Sequence, residues 1–175
     1  MGRSVRGLSK WDLWRCFVLI LVLCGTQKQN FSRMIKEVEK LAGEHDIIVQ
    51  AGHTDYHSAE MNIFNFLPEE KLSDMYEKAA VIITHGGAGS IFKGLKNQKK
   101  MVVFPRLEKY GEHVDDHQLQ LAQRLEELGF LKIFNDGDDI HNIFDQTQQM
   151  ILPTYDLKGD ILTLIEQQLI EIFGF

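Results

Sequence analysis

A glycine cluster directly after an apolar run is the part of the sequence best suited to bind a phosphate group. His85-Gly86-Gly87-Ala88-Gly89-Ser90 follows Val81–Thr84, a run typical of a buried parallel strand, and leads into a predicted helix over Ser90–Lys96. Glycines tolerate positive φ and let backbone approach a ligand closely, and N–H groups at a helix start attract anions. The pattern predicts a phosphate or pyrophosphate site at the carboxyl end of a strand. A tight strand-to-helix turn without a ligand would use the same glycines.

Two common glycine motifs do not fit this loop completely. The phosphate loop of nucleoside triphosphatases ends in Gly-Lys-Ser/Thr, whereas this loop has no lysine before Lys93. The dinucleotide fingerprint Gly-x-Gly-x-x-Gly is met at Gly87 and Gly89, but Phe92 occupies its third position. An NAD-dependent Rossmann module, or a nucleotide-binding regulatory module without transferase activity, therefore stays an open alternative.

The composition is that of one globular domain. Of the 175 residues, 44% are hydrophobic and 25% are charged, and the formal net charge is −6. No large basic segment occurs, which argues against a nucleic acid as partner. Cys16 and Cys24 are too far apart for a disulfide, whether they lie on one strand or on one helix, and this fits a reducing compartment.

The first residues allow two interpretations. Met1–Arg15 is rich in basic residues and Cys16–Cys24 is continuously apolar, which resembles a signal peptide. However, the apolar run is too short for a membrane span, and no small-residue cleavage site follows it. We therefore expect residues 1–16 to be an N-terminal extension and Phe17–Leu23 to be the first buried strand of a domain over residues 17–175.

Strand-like and helix-like patterns alternate through the rest of the chain. The predicted strands are Phe17–Leu23, Ile47–Gly52, Asn62–Leu67, Val81–Thr84, Met101–Phe104 and Phe130–Phe134. The predicted helices are Phe31–Ala42, Glu69–Ala79, Ser90–Lys96, Gln118–Leu128, Asp138–Met150 and Lys158–Phe173. This alternation predicts an α/β fold, a Rossmann-like parallel sheet with helices on both faces.

Three polar segments at predicted strand ends together resemble one family of enzymes. They are Gly25-Thr26-Gln27-Lys28-Gln29, the glycine cluster His85–Ser90, and Pro105-Arg106 with Tyr110-Gly111-Glu112-His113-Val114-Asp115-Asp116-His117-Gln118. In this order they resemble the C-terminal domain of inverting GT-B glycosyltransferases of family 28. The likeness extends to stand-alone members: the donor-binding subunits of split capsular and exopolysaccharide glycosyltransferases, and the cytosolic subunit of the dolichol-linked N-acetylglucosaminyl transferase. It covers roughly Phe17 to the C-terminus.

The resemblance implies a role for each segment. His85–Ser90 would bind the diphosphate of a nucleotide-sugar donor, usually linked to UDP. Asp116–Gln118 would reach the sugar hydroxyls and the ribose, and Gly25–Gln27 would line the cleft toward the acceptor or the phosphates. His117 replaces the acid of the acid–Gln pair found in plant and bacterial relatives, so the resemblance does not predict which hexose is bound. The UDP-sugar is a substrate, and no cofactor and no metal is expected.

Inverting sugar transfer needs a stabilised leaving diphosphate and a deprotonated acceptor hydroxyl. Backbone N–H groups can meet the first need, but the sequence shows no clear general base, which in GT-B enzymes usually belongs to the N-terminal domain. The resemblance therefore implies a hexosyltransferase subunit that is active only in a heterodimer. It would move a hexose or N-acetylhexosamine from a UDP-sugar to a lipid-linked saccharide, in cell-surface polysaccharide or glycan biosynthesis. A membrane-anchored partner with the acceptor half would hold this chain at the cytoplasmic face of the membrane.

Other polar residues have more than one interpretation. His113 and His117, with the acids around them, have a spacing that a metal site could use, but an Asp-Asp pair before a helix is a common cap. Arg106 and Lys109 are expected either to contact a diphosphate or anionic lipid or to be solvated. His85 is expected either to fix the turn after its strand or to contact a phosphate or ribose. The remaining histidines are expected at the surface: His45, His53, His57 and His141.

Overall fold

An all-parallel sheet of six strands forms the centre of the protein in a computed structural model, which describes residues 17–112 and 117–154. The strands are β1 (Leu19–Leu23), β2 (Asp46–Gln50), β3 (Asn62–Phe64), β4 (Val81–Thr84), β5 (Lys100–Val103) and β6 (Lys132–Ile133). The α-helices in the described ranges are α1 (Ser32–Glu39), α2 (Glu69–Lys78), α3 (Ala88–Lys96), α4 (His117–Glu127) and α5 (Ile140–Gln149). A short 3-10 helix covers Glu108–Tyr110.

Side chains of the central strands alternate between two apolar cores on opposite faces of the sheet. Ile20 and Val22 of β1 belong to a core with α1 and α5, whereas Leu21 of β1 and Ile82 of β4 belong to a core with α2, α3 and α4. All four side chains are fully buried. Both faces of the strands are covered, which is why the strands read as continuous apolar runs. The predicted α/β fold with helices on both faces is confirmed.

The first apolar run lies in the middle of the sheet. β1 pairs with β2 on one side and with β4 on the other. This position confirms the strand interpretation of the run. Cys24, the next residue, is a buried free cysteine, and burial raises the pKa of its thiol to about 12. None of the helices in the described ranges has the length and apolar character that crossing a membrane requires.

The order of the strands opens a crevice at one edge of the sheet. The order is β3-β2-β1-β4-β5-β6, so the chain builds outward from β1 in one direction and then from β4 in the other. The connections after β1 and β4 therefore lead to helices on opposite faces of the sheet, α1 and α3, and open α/β sheets bind their ligands at this switch point. Residues 1–16 and the predicted helix Lys158–Phe173 lie outside the described residues.

Several elements differ from their predicted bounds by a few residues, and for three of them the structure shows a local reason. α3 begins at Ala88 because Gly87 is its N-cap, and the N–H groups of Ser90 and Ile91 both bond to the Gly87 carbonyl, at 3.0 Å and 3.1 Å. β3 ends at Phe64, since the N–H of Leu67 bonds to the side chain of Gln50. β6 covers only Lys132–Ile133, because the N–H of Phe130 bonds back to the end of α4.

One predicted surface residue is buried. His45 was expected in solvent, but it is 5% exposed and its ring centroid lies 4.7 Å from that of Phe144 on α5. The expectation was wrong because it took no account of the helix that covers this position.

A buried carboxylate fixes the loop after β5 to the start of α1. Glu112 accepts hydrogen bonds from Arg33 Nε at 3.0 Å and from Arg33 Nη2 at 2.6 Å, and a third from the N–H of Leu107 at 3.2 Å. The Arg33 guanidinium also lies 4.7 Å from the ring centroids of Phe104 and Tyr110. Glu112 is buried, so these bonds replace its contacts with water.

Arg106 ties the same loop to the loop after β1. Its guanidinium is buried and donates to the backbone carbonyls of Cys24 at 2.9 Å, Gln29 at 3.0 Å and Glu112 at 3.2 Å. Burial lowers the pKa of Arg106. The expectation that Arg106 contacts a diphosphate or lipid, or is solvated, was therefore wrong: it is a structural clamp. Lys109 forms an ion pair with Asp136 and is exposed to solvent, as one of its two expected positions requires.

We expect Glu112→Gln to lower the free energy of unfolding by about 1–3 kcal/mol, because Arg33 loses its buried counter-charge and keeps, among the described residues, only Asp136, at 3.6 Å. Urea unfolding followed by circular dichroism measures this difference. The matched control is Glu108→Gln in the same loop, where the side chain is exposed, and it should change the free energy by less than about 0.5 kcal/mol. Equal effects of the two substitutions would contradict the role given to Glu112.

Candidate functional site

A cleft of about 370 Å³ opens where the loops after β1 and β4 meet at the carboxyl edge of the sheet. Six predicted site residues line it: Gly25, Thr26, His85, Gly87, Gly89 and Ser90. Six further residues complete the lining: Leu23, Gln50, Glu69, Leu72, Tyr76 and Lys93. The cleft therefore lies at the position that the glycine motif and the parallel sheet together predict.

The imidazole ring of His85 sets the distance between the two loops. A methyl group at Gly25 would lie 2.7 Å from His85 Nε2, and one at Gly87 would lie 2.4 Å from the same atom. Nδ1 lies 3.2 Å from the carbonyl oxygen of Leu23. Since a carbonyl only accepts, we assign the proton to Nδ1 in this bond. His85 thus fixes the turn after its strand, which is one of the two roles expected for it. The other role, contact with a phosphate or ribose, stays a prediction.

Glycine is needed in these loops for two physical reasons. Gly25 and Gly86 have φ values of +81° and +93°, in the left-handed region that side chains disfavour. Gly52, after β2, is needed for close packing, because a methyl group there would lie 2.3 Å from the Gly25 carbonyl oxygen. The loops after β2, β1 and β4 therefore touch through their backbones and the His85 ring.

The first turn of α3 lies beside the cleft, and its first backbone N–H groups have no partner within the helix. The N-cap residue is Gly87, which has no side chain to accept a hydrogen bond from these N–H groups. The first turn contains no acidic residue either. The N–H groups of Ala88 and Gly89 have no partner within the helix, since they precede its first backbone bond. A methyl group at Gly89 would meet no atom within 4 Å. An anion in this space would gain hydrogen bonds and the favourable field of the helix dipole.

Side chains of α2 and of the second turn of α3 form another wall of the cleft. Tyr76 is buried and donates a long hydrogen bond, 3.4 Å, to the carbonyl of Ser90. Burial raises the pKa of Tyr76 to about 12, so its phenol stays protonated at neutral pH. Lys93 Nζ lies 2.5 Å from Glu69 Oε1 and 4.9 Å from the centroid of the Tyr76 ring. The cleft thus combines backbone donors, an apolar wall and one lysine.

Three predicted site residues do not line the cleft. Gln27 is partly buried in the loop after β1, and Gly86 is buried in the turn before α3. A methyl group at Gly86 would lie 3.0 Å from Val103 Cγ1. Ala88 packs against the core beneath α3. The structure explains these positions by turn formation and packing, and their contact with a donor stays a prediction.

The last predicted segment is only partly described. Asp116 lies outside the described residues, and His117 and Gln118 are described only as the start of α4. Within the described part of the chain, no group of three or more His, Cys, Asp or Glu side chains could hold a metal ion. Glu112, one of the acids near His113 and His117 that could have belonged to a metal site, forms an ion pair with Arg33.

Some residues that line the cleft were not predicted from the sequence, although helical spacing could have indicated one of them. Lys93 is four residues after Gly89, and this spacing places both on one face of a helix. Gln50 ends β2, next to β1 in the sheet, and its side chain accepts a bond from the N–H of Leu67 at 3.1 Å. Glu69, Leu72 and Tyr76 reach the cleft through the packing of α2 beside α3, for which no motif exists.

Comparisons with known proteins agree with this fold. The profile of the glycosyltransferase family 28 C-terminal domain matches residues 19–158, which are 140 of the 175 residues. No curated protein matches the chain significantly. Among solved structures, the chain is similar to the glycotransferase of kitacinnamycin, with a TM-score of 0.61 and 19% identity over 98% of this chain and 44% of that one.

Two other solved structures show the same likeness at low identity. CalG4, the calicheamicin glycosyltransferase, has a TM-score of 0.60 and 12% identity over 90% of this chain and 38% of that one. The solution structure of ALG13 has a TM-score of 0.60 and 16% identity over 90% of this chain and 98% of that one. The chain thus spans less than half of the two glycosyltransferases and nearly all of ALG13. At such identities the likeness shows a shared fold.

Alanine substitutions at Gly87 and Gly89 should have opposite effects on stability. Gly87→Ala should lower the free energy of unfolding by about 1–3 kcal/mol, because the new methyl group meets a ring that its bond to Leu23 holds in place. Gly89→Ala should leave it unchanged or raise it by up to about 1 kcal/mol, since alanine favours helix and the space is open. Urea unfolding of both variants tests this, and equal losses would contradict the packing described around His85.

Proposed function

The chain belongs to the glycosyltransferase family 28 C-terminal domain family, and we propose that it binds the UDP-sugar donor of an inverting glycosyltransferase. The observation that carries this proposal is the cleft at the switch point, where the first turn of α3 offers N–H groups without a capping side chain. A nucleotide sugar combines a dianionic diphosphate with a flat base and a polar sugar. The backbone N–H groups at the first turn of α3 would bind the diphosphate. The apolar wall beside them, which contains Leu72 and Tyr76, would pack against the base.

The same backbone groups support the chemistry of transfer. In an inverting reaction the acceptor hydroxyl attacks the anomeric carbon while the bond to the diphosphate oxygen breaks. Negative charge then grows on the leaving diphosphate. The N–H groups of Ala88 and Gly89 and the positive end of α3 would stabilise that charge without rearranging, because the packing around His85 already holds them in place. In this proposal the UDP-sugar is a substrate, and no cofactor takes part.

The sugar end of the donor would be bound by Asp116–Gln118. Glu112, the last described residue before this segment, is held by Arg33 and lies beside the clamp formed by Arg106. α4 then begins at His117. We propose a hexose or N-acetylhexosamine as the transferred sugar.

We propose that a second subunit supplies the acceptor half of the enzyme. The chain spans less than half of the two glycosyltransferases to which it is similar. Of the acid–base side chains that line the cleft, His85 has its ring, Nε2 included, packed between the backbones of Gly25 and Gly87, Tyr76 keeps its phenol proton at neutral pH, and Glu69 pairs with Lys93. The general base would therefore come from a membrane-anchored partner that binds a lipid-linked saccharide. The heterodimer would act at the cytoplasmic face of the membrane in polysaccharide or glycan biosynthesis, and sugar transfer by the purified chain alone would contradict this part.

The second candidate function is an NAD-dependent or regulatory module. The observed strand order is also that of dinucleotide-binding domains, and Gly87 and Gly89 match two of the three fingerprint glycines. Phe92 at the third position argues against it, because the third glycine permits close helix packing.

Thermal unfolding with UDP and with NAD separates the two candidates. Saturation with UDP at about 100 times its Kd should stabilise the chain by about 2.7 kcal/mol and raise Tm by roughly 5–10 °C. NAD at the same concentration should leave Tm unchanged. Differential scanning fluorimetry measures both shifts.

The matched control is Gly89→Val, which fills the open space beside the first turn of α3. It should lose the shift with UDP while keeping a well-defined unfolding transition of its own. Stabilisation by NAD but not by UDP would favour the second candidate. Equal UDP stabilisation of wild type and Gly89→Val would remove the first turn of α3 from the site.

A further inference from the structure

An ion pair between α2 and α3 lies in the wall of the cleft. Lys93 Nζ is 2.5 Å from Glu69 Oε1, and both residues line the cleft. The two partners differ in exposure: 22% of the Lys93 side chain is accessible to solvent, against 81% of that of Glu69. The Lys93 ammonium also lies 4.9 Å from the Tyr76 ring centroid, within the range of a cation–π contact. The lysine is therefore held against the wall, while the acid that neutralises it is mostly in water.

Lys93 shares one face of α3 with the candidate phosphate site. Gly89 and Ser90 precede it by four and three residues, and side chains at this spacing are neighbours on a helix. All three line the cleft. Four residues of helix rise by about 6 Å, a distance that a lysine side chain can span. Lys93 can therefore reach a phosphate bound at the first turn of α3, although it follows the glycines too late for the phosphate-loop motif.

Three other basic residues near this edge of the sheet are engaged elsewhere. Arg33 is bonded to Glu112, and Arg106 donates to three backbone carbonyls. Lys109 pairs with Asp136. Among the described residues that line the cleft, Lys93 is the one lysine or arginine. Since the whole chain carries a formal net charge of −6, a dianionic ligand would depend strongly on this one local cation.

We propose that Lys93 binds the diphosphate of the donor, and that Glu69 holds Lys93 in the empty cleft and competes with the ligand for it. This inference rests on the proposed function, and it assigns a role to two residues outside the glycine motif. When the donor binds, a phosphate oxygen replaces the Glu69 carboxylate at the ammonium group. The exposed carboxylate then returns to water, which costs little because an ion pair with so exposed a partner is weak.

This competition predicts opposite effects of removing the two charges. Lys93→Gln should weaken UDP binding by at least about tenfold, as for loss of a charge-assisted hydrogen bond. It should change the affinity for uridine, which has no phosphate, less than about twofold. Glu69→Gln keeps the lysine and removes its competitor, so it should strengthen UDP binding severalfold. If the ion pair only supports the packing of α2 on α3, both substitutions should weaken UDP binding and uridine binding to the same extent.

Calorimetry with UDP and competition with uridine measure these affinities on the full chain. Lys96→Gln is the matched control, because Lys96 is exposed at the far end of α3 and does not line the cleft. It removes the same charge and should leave UDP affinity within about twofold, as expected for a screened distant charge. Lys93→Arg keeps the charge and should retain most of the affinity. Thermal unfolding without ligand shows that each variant is folded.

Three results would overturn the inference. Equal losses for Lys93→Gln and Lys96→Gln would show a long-range charge effect instead of a contact. Weaker binding of both UDP and uridine by Glu69→Gln would mean that Glu69 itself contacts the nucleoside. Unchanged UDP affinity in Lys93→Gln, with wild type binding UDP, would remove Lys93 from the site and leave the proposed function standing. Failure of the wild-type chain to bind UDP would instead overturn the proposed function itself.

Discussion

The ring of His85 lies between the backbones of two loops, and the candidate site takes its shape from that contact. Side chains at Gly25 and Gly87 would clash with the ring, and one at Gly52 would clash with the Gly25 carbonyl. Three loops that follow neighbouring strands are thereby brought to van der Waals distance. The bond from His85 Nδ1 to the Leu23 carbonyl keeps the ring in this position. Because Gly87 is also the N-cap of α3, the same contact sets where the first turn of that helix meets the cleft.

A second group of interactions holds the other end of the loop after β1. Arg106 bonds to the carbonyls of Cys24 and Gln29, on either side of the segment Gly25–Lys28. Glu112 and Arg33 fix the loop after β5 to α1 on the same side. Backbone donors held in this way need little reorganisation when negative charge develops on a ligand, which is the condition for electrostatic stabilisation of a leaving group. Burying these charged groups is costly, and their several mutual bonds offset that cost.

The fold follows from features that the sequence displays locally, whereas much of the cleft does not. Parallel strands covered on both faces must be apolar throughout, so β1, β4 and β5 could be predicted from their apolar runs. The glycines indicated the loop between β4 and α3. Arg106 appeared as one charge in a polar loop, since its three carbonyl partners are distant in the chain. Glu69 and Tyr76 carry no motif, because their place in the cleft depends on how α2 packs beside α3. Lys93 lay outside the known glycine motifs, and only helix geometry places it on the same face as Gly89.

We propose that a nucleoside diphosphate binds with its phosphates at the first turn of α3. Titration of the isotope-labelled chain with UDP, followed by amide resonances in NMR, tests it most directly. We expect the largest shifts at Ala88 and Gly89, smaller ones at Gly25 and Thr26, and none at Gly43 in the α1–β2 loop at the opposite edge of the sheet. Uridine should reproduce little of the change at Ala88 and Gly89, because it has no phosphate. UDP-induced shifts that spare these two amides, or that are as large with uridine, would contradict this binding mode.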